Sequence, residues 1–318
     1  MPPARLDYPK GAAFGFAAAS IWASWSVVTR LAVTSGLDAS DIVALRFGVA
    51  GVLLLPIVVR RGLARDRLGW LGLGMLITGT GAPYALVAAT GLRFAPAYDG
   101  GALNPGCMPL FVALIAAIAL GEKLSTARIF GLLLIFAGAC AIVGGHPGGR
   151  VADWSTSRTF GDVLFLIAAF LTACFTLVMR QARLDPLHAT ALVSTGSLVF
   201  YLPIYFALQG ARFGRIPLAE FAIQALFQGV AVTIVSLILY GRAIVILGAS
   251  GGAAFGALVP VLSALLAIPF LGEWPNEMDW ASVALISGGV YLVSGGPLPR
   301  GNALTITFRR VSTGSERE

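Results

Sequence analysis

Two stretches decide how this chain is read: YDGGALNPGCMPLFVALIAAIALGEKLSTARIFGLLLIFAGACAIVGG (residues 98–145) and ASGGAAFGALVPVLSALLAIPFLGEWPNEMDWASVALISGGVYLVSGG (residues 249–296). At a fixed offset of 151, Gly100, Gly101 and Ala102 meet Gly251, Gly252 and Ala253, Pro109 meets Pro260, and Gly121-Glu122 meets Gly272-Glu273. Gly138, Gly144 and Gly145 then meet Gly289, Gly295 and Gly296. Shared apolar composition does not keep such a register, without a gap, through a proline and a helix-ending acidic residue. The pattern predicts a duplicated membrane protein.

Composition bounds the class. Of 318 residues, 57% are hydrophobic and 12% charged, and the mean hydropathy is +0.85. That is more apolar surface than one soluble core can hide. Ten candidate spans are expected at 11–33, 42–59, 70–90, 95–120, 129–143, 162–179, 190–208, 219–240, 246–271 and 280–294. Most match the ~30 Å hydrocarbon layer at ~1.5 Å per helical residue; the fifth and tenth are short but hold the same place in each repeat. Cys107, Cys140 and Cys174 lie within apolar segments and read as small hydrophobes, not disulfide partners. The polar N-terminus followed by a full span without a small-residue cleavage site argues against a removable signal peptide.

Basic residues set the expected orientation. With the N-terminus inside, cytoplasmic segments hold 15 arginines and lysines against six outside (Arg30, Arg93, Arg150, Arg158, Arg212 and Arg215), which selects N-in and C-in. The same distribution, in short loops rather than on one face, argues against nucleic acid as a partner. Five spans per half is an odd number, so the second half is expected to enter the membrane upside down. At an offset of 150, Ala23, Val28, Arg30 and Ala32 meet Ala173, Val178, Arg180 and Ala182, and Pro56 corresponds to Pro203. The expected organisation is a cytoplasmic N-terminus (1–10), a first repeat (11–145), a linker (146–160), a second repeat (161–296) and a cytoplasmic tail (297–318).

These features resemble the drug/metabolite transporter superfamily, specifically bacterial transporters with two EamA domains. The resemblance rests on the Trp-bearing Ile21–Arg30 stretch, on Ala44-Leu45-Arg46-Phe47, on the Pro109 helix closing on Gly121-Glu122-Lys123, and on Pro260 closing on Gly272-Glu273. It covers Gly11 to about Gly296; Val193 stands where the first half has Arg46, so that arginine is not duplicated. The resemblance implies an all-α membrane fold of ten transmembrane helices, as two inverted five-helix EamA repeats around a central cavity. It also implies alternating-access transport of small organic metabolites, often outward, with amino acids and related compounds the leading class, and location in the bacterial inner (plasma) membrane.

Polar and aromatic residues inside the spans are the candidate substrate contacts. Trp22, Trp25, Ser26 and Thr29 share one helical face, either packing against neighbours or walling a cavity. Thr80 and Tyr84 lie in the Thr78–Tyr84 run, where glycine and proline loosen the third span. Asn104 precedes Pro105 in the fourth, placed to bond freed backbone or a solute. Gln224, Gln228, Ser236 and Tyr240 form a polar stripe on the eighth, bonding either between helices or to solute. In the ninth, Gly248, Gly252 and Gly256 at four-residue spacing suggest either close packing or an element that rocks. Arg46 and Asp99, both near the outer level, are gating or coupling candidates: the pair could form an outer gate or hold a carboxylate, with protons as the candidate coupling ion. Glu122 and Glu273 are expected at helix ends, and His146 and His188 in loops.

No HExxH, Gly-x-Ser-x-Gly, Walker A or cysteine-histidine cluster occurs, so no catalytic residues, metal or cofactor are expected. The competing readings are a passive solute channel and a non-transporting scaffold. In each the lipid bilayer is a partner, and only the transporter and the channel take a small-molecule solute.

Overall fold

The computed structural model describes residues 8–144, 156–209 and 217–295, and helix is the only regular structure among them. Gly145 and Gly296, most of the expected linker with His146 and Arg150, Arg212 and Arg215, and the tail lie outside the described residues. In order, the helices are α1 (Tyr8–Ser35), α2 (Ala39–Arg61), α3 (Arg65–Thr80), α4 (Ala82–Phe94), α5 (Ala97–Leu120), α6 (Thr126–Gly144), α7 (Thr156–Gln181) and α8 (Pro186–Gln209). Then come α9 (Leu218–Gln224), a π-helical segment (Ala225–Val235), α10 (Ser236–Ala254), a 3₁₀ turn (Phe255–Ala257), α11 (Leu258–Leu271) and α12 (Glu277–Val293).

Among the described residues, nine segments are long and apolar enough to cross a bilayer; α12, at 17 residues, is shorter. The surface has the polarity of a membrane protein: Leu71, Ile118 and Val245 are about four-fifths exposed, while Thr29, Asp99, Asp162 and Gln228 are buried. In lipid the outward face carries no penalty for being apolar, whereas interior polar groups must find partners.

The repeat is visible in local geometry. α5 and α11 end on Gly121 and Gly272 with φ of 63° and 66°, and the N–H groups of Glu122 and Glu273 each donate to a carbonyl six residues back, Ala116 and Ala267, at 3.3 Å. Both are left-handed glycine caps, which any side chain would strain. Packing follows the same correspondence: α2 lies on α8, α5 on α11 and α6 on α12, while α1 lies on α10 and α11 as α7 lies on α4 and α5.

Several spans are not single rods. The third is α3 and α4 separated at Gly81, where the freed Ala82 N–H donates to Ser197 Oγ of α8 at 3.0 Å, so a buried donor is satisfied across the break. The eighth carries the π segment. Gly248, expected inside the ninth span, has φ of 83° and marks the turn between the eighth and ninth. A Cβ at Gly248 or Gly256 would meet nothing within 4 Å, so those two are not packing positions. His188, expected in a loop, is buried in the first turn of α8. Pro186 starts that helix, Asp185 Oδ1 accepts the His188 N–H at 3.0 Å, and the ring Nε2 donates to the Gly62 carbonyl at 2.9 Å.

At the crossing of α6 and α12 the backbones approach closely. A Cβ on Gly289 would lie 2.5 Å from the Gly131 carbonyl oxygen, whereas one on Gly288 would meet nothing within 4 Å. Gly289→Ala is therefore expected to destabilise by about 1–3 kcal/mol through overpacking, and Gly288→Ala to be neutral or slightly stabilising. Thermal unfolding in detergent reads both. Equal midpoints for the two variants would mean that the helices do not depend on this approach.

Candidate functional site

The polar residues of the interior come from α1, α2, α4, α5, α9, the π segment and α10. Trp22 Nε1 of α1 donates to Ser236 Oγ at 3.0 Å, and its ring is tilted against Tyr240 with centroids 5.0 Å apart. Seven residues along α1, Thr29 Oγ1 accepts from Gln228 Nε2 at 3.1 Å, and the same amide nitrogen donates to Gln224 Oε1 at 3.3 Å. Gln228 is fully buried, and its Oε1 has no hydrogen-bond partner among the described residues. Arg46 Nε of α2 donates to Thr233 Oγ1 at 3.2 Å, and its guanidinium lies 5.3 Å from the Phe47 ring centroid. Asn104 Nδ2 of α5 donates to the Tyr84 hydroxyl of α4 at 2.9 Å, and Tyr84 is within electrostatic reach of Arg46.

Thr233 is the member that periodicity misses. Four residues from Gln228 stands Val232, and an α-helix would put that valine on the polar face. In the wider π turn Thr233 Oγ1 instead donates to the carbonyl of Gln228, five residues earlier, at 2.8 Å. Such π segments recur at functional sites because they shift side-chain register. Of the other expected residues, Trp25 is buried in the main apolar cluster, and Thr80 ends α3 beside the Gly81 break. The anticipated Arg46–Asp99 pair does not form. Arg46 turns to Thr233, and Asp99 is held by Arg158 of α7 at 2.7 Å.

The profile of the EamA-like transporter family matches residues 9–144 and 159–295. The chain belongs to this family. Two copies of the family's domain thus cover most of it, in agreement with the repeat. It is similar over 291 residues, at 28% identity, to a probable terminal-alkyne amino-acid exporter of Streptantibioticus cattleyicolor, covering 88% of this chain and 93% of the relative. A riboflavin transporter of Brucella anthropi is 31% identical over 193 residues, 60% of this chain and 64% of the relative. An uncharacterized transporter of Archaeoglobus fulgidus is 26% identical, covering 86% and 93%. A crystal structure at 23% identity superimposes with a TM-score of 0.57 over 89% of this chain and 96% of its own, a likeness of fold alone.

This EamA-like chain is accordingly a multi-pass membrane protein whose relatives are transporters. Its two glutamates expected at helix ends are both in ion pairs. Arg30 Nε donates to Glu273 Oε1 at 2.9 Å and Arg30 Nη1 to the Leu92 carbonyl at 2.7 Å, while Glu273 Oε2 accepts the Ala97 N–H at 2.7 Å. At the other end of α5, Arg180 Nη2 donates to Glu122 Oε1 at 2.5 Å. Arg30 corresponds to Arg180 and Glu122 to Glu273 in the repeat, so each pair joins an arginine of one half to a glutamate of the other. Their environments differ: the Arg30–Glu273 side chains are 19% and 17% exposed, those of Arg180 and Glu122 57% and 30%.

Proposed function

We propose that this chain is a secondary carrier that moves a small carboxylate-bearing organic metabolite, with amino acids the leading class, outward across the bacterial plasma membrane. The observation that carries the reading is Arg46. Among the described residues it is the one arginine of the bundle interior without a carboxylate in ion-pair range, since Arg30 and Arg158 both have theirs. A guanidinium kept inside an apolar bundle without a fixed counter-charge is costly. A substrate carboxylate would complete it, and the fork geometry of Arg favours that partner. The unpartnered Gln228 Oε1 offers an acceptor to an ammonium group, and Trp22, Tyr84 and Tyr240 offer flat apolar contact. The amino-acid exporter among the relatives supports the same class.

Alternating access between inverted halves is the mechanism that the ion pairs favour. Arg30–Glu273 and Arg180–Glu122 are exchanged by the repeat and sit at opposite ends of α5, a helix of ~36 Å at 1.5 Å per residue. In the N-in, C-in orientation the less exposed pair latches the outer end, and the more exposed pair sits at the cytoplasmic end. Rocking one half against the other would exchange those environments. The repeat boundaries proposed are 11–145 and 161–296.

Competitive counterflow in proteoliposomes, with a labelled panel of amino acids, sugars, nucleosides and cationic drugs, tests the function. Saturable accumulation of a carboxylate-bearing compound, abolished by excess unlabelled compound, is the expected result. Flux without counterflow would replace the carrier by a channel, and counterflow only of uncharged solutes would remove Arg46 as the anchor.

A further inference from the structure

At the end of the bundle that carries the Arg30–Glu273 pair, two carboxyl groups share one cation and a third, Asp162, has no ion-pair partner among the described residues. Arg158 of α7 donates from Nε to Asp99 Oδ2 at 2.7 Å and from Nη2 to Asp99 Oδ1 at 3.0 Å, and Nη2 also donates to Asp279 Oδ1 of α12 at 3.0 Å. The other Asp279 oxygen accepts from the Tyr98 hydroxyl at 3.2 Å and from the Asn276 N–H at 3.0 Å. Asp99 and Asp279 stand in the first turns of α5 and α12, where the helix dipole favours negative charge.

Asp162 has none of this support. It lies one turn beyond Arg158 on α7, past the first turn. Its side chain is fully buried, and neither carboxyl oxygen has a hydrogen-bond donor among the described residues. Arg158 and Asp162 are four residues apart on one face of α7, which sets Asp162 beside the Asp99 carboxyl that Arg158 holds. Beside Asp162, α7 is pressed against the end of α4: a Cβ on Gly161 would lie 2.6 Å from Ala95 Cβ and 2.9 Å from the Gly91 carbonyl oxygen. Two ionised carboxylates cannot share such a site, but one proton between them turns repulsion into a hydrogen bond.

The remaining charges nearby do not offer a second cation. Arg30 is engaged with Glu273 and the Leu92 carbonyl, and Arg93 of α4 is exposed and turned to Asp38. Among the described residues no three His, Cys, Asp or Glu side chains converge closely enough to hold a metal ion.

We propose that Asp99 and Asp162 form a proton-binding site that holds one shared proton beside the Arg158–Asp279 bridge. Resting on the carrier reading, this site is where transport is linked to the proton gradient: releasing the proton leaves two adjacent carboxylates competing for Arg158, which loosens the junction of α5, α7 and α12. Asp99 and Asp162 thereby take the coupling role, and Arg46 is left to the substrate.

The test reads the proton without requiring transport. Infrared difference spectra of the purified full-length protein, recorded between mildly acidic and alkaline pH, are compared for wild type, Asp162→Asn and Asp99→Asn. Wild type is expected to show the carbonyl band of a protonated carboxylic acid that shifts in D2O and disappears at alkaline pH. Both variants should lack it, because either asparagine amide supplies the donor that the proton provided. Absence of the band from wild type, or its persistence in either variant, would overturn the shared proton, and a sodium-dependent rise in wild-type melting temperature without the band would assign the site to a metal cation instead. Counterflow is then measured separately. A silent wild type would sink the carrier reading while leaving the spectra to decide the site.

Discussion

Replacing Arg46 by alanine is expected to raise the KM for a carboxylate-bearing substrate about tenfold to a hundredfold, the range for losing a charge-assisted hydrogen bond of about 1.5–3 kcal/mol. Stability should change little, because among the described residues the side-chain hydrogen bond lost is the one to Thr233 Oγ1, and that hydroxyl keeps its bond to the Gln228 carbonyl. Arg46→Lys should fall between, since an ammonium keeps the charge without the planar fork. Concentration-dependent counterflow with the wild-type substrate gives the comparison. An unchanged KM in a folded Arg46→Ala protein would move substrate recognition to other residues.

Arg158→Ala is expected to have the largest effect on stability. The substitution leaves Asp99 and Asp279 buried without their cation, beside an Asp162 that already lacks a donor. Removing one partner of a buried ion pair costs about 3–5 kcal/mol. Arg61→Ala, which breaks an equally short pair with Asp185 at half-exposed side chains, should cost only about 0–1 kcal/mol. The contrast is the informative quantity, since both variants remove a guanidinium at 2.7–2.9 Å from a carboxylate. Melting midpoints measured in one detergent would refute this account if the two variants fell together.

The two experiments probe different parts of the molecule. Arg46 sits in the interior row with Thr233 and Gln228, whereas Arg158 ties the starts of α5, α7 and α12 together. The anticipated Arg46–Asp99 pair would have merged recognition and coupling into one contact. On the proposed reading, separate partners for these two residues keep the substrate contact apart from the proton site.

What the sequence determined by itself was whatever depends on neighbours along the chain. Hydropathy marks the spans because burial in lipid is a sum over consecutive residues. Gly121 and Gly272 mark the ends of α5 and α11 because the left-handed cap is a property of one residue's backbone. The doubled order of such marks is why the family was legible, and Trp22, Tyr84, Asn104, Gln228, Ser236 and Tyr240 could be singled out as polar or aromatic side chains within apolar runs. Only the tertiary structure decided which of them meet. Thr233 reaches the polar row through a π turn that α-helical periodicity does not anticipate. Asp162 reads in sequence as a charge near the start of a span, and becomes a proton-site candidate because α5 and α12 bring Asp99, Arg158 and Asp279 beside it. Electrostatic energy depends on distances through space, and those between residues 99, 158 and 279 are set by helix packing.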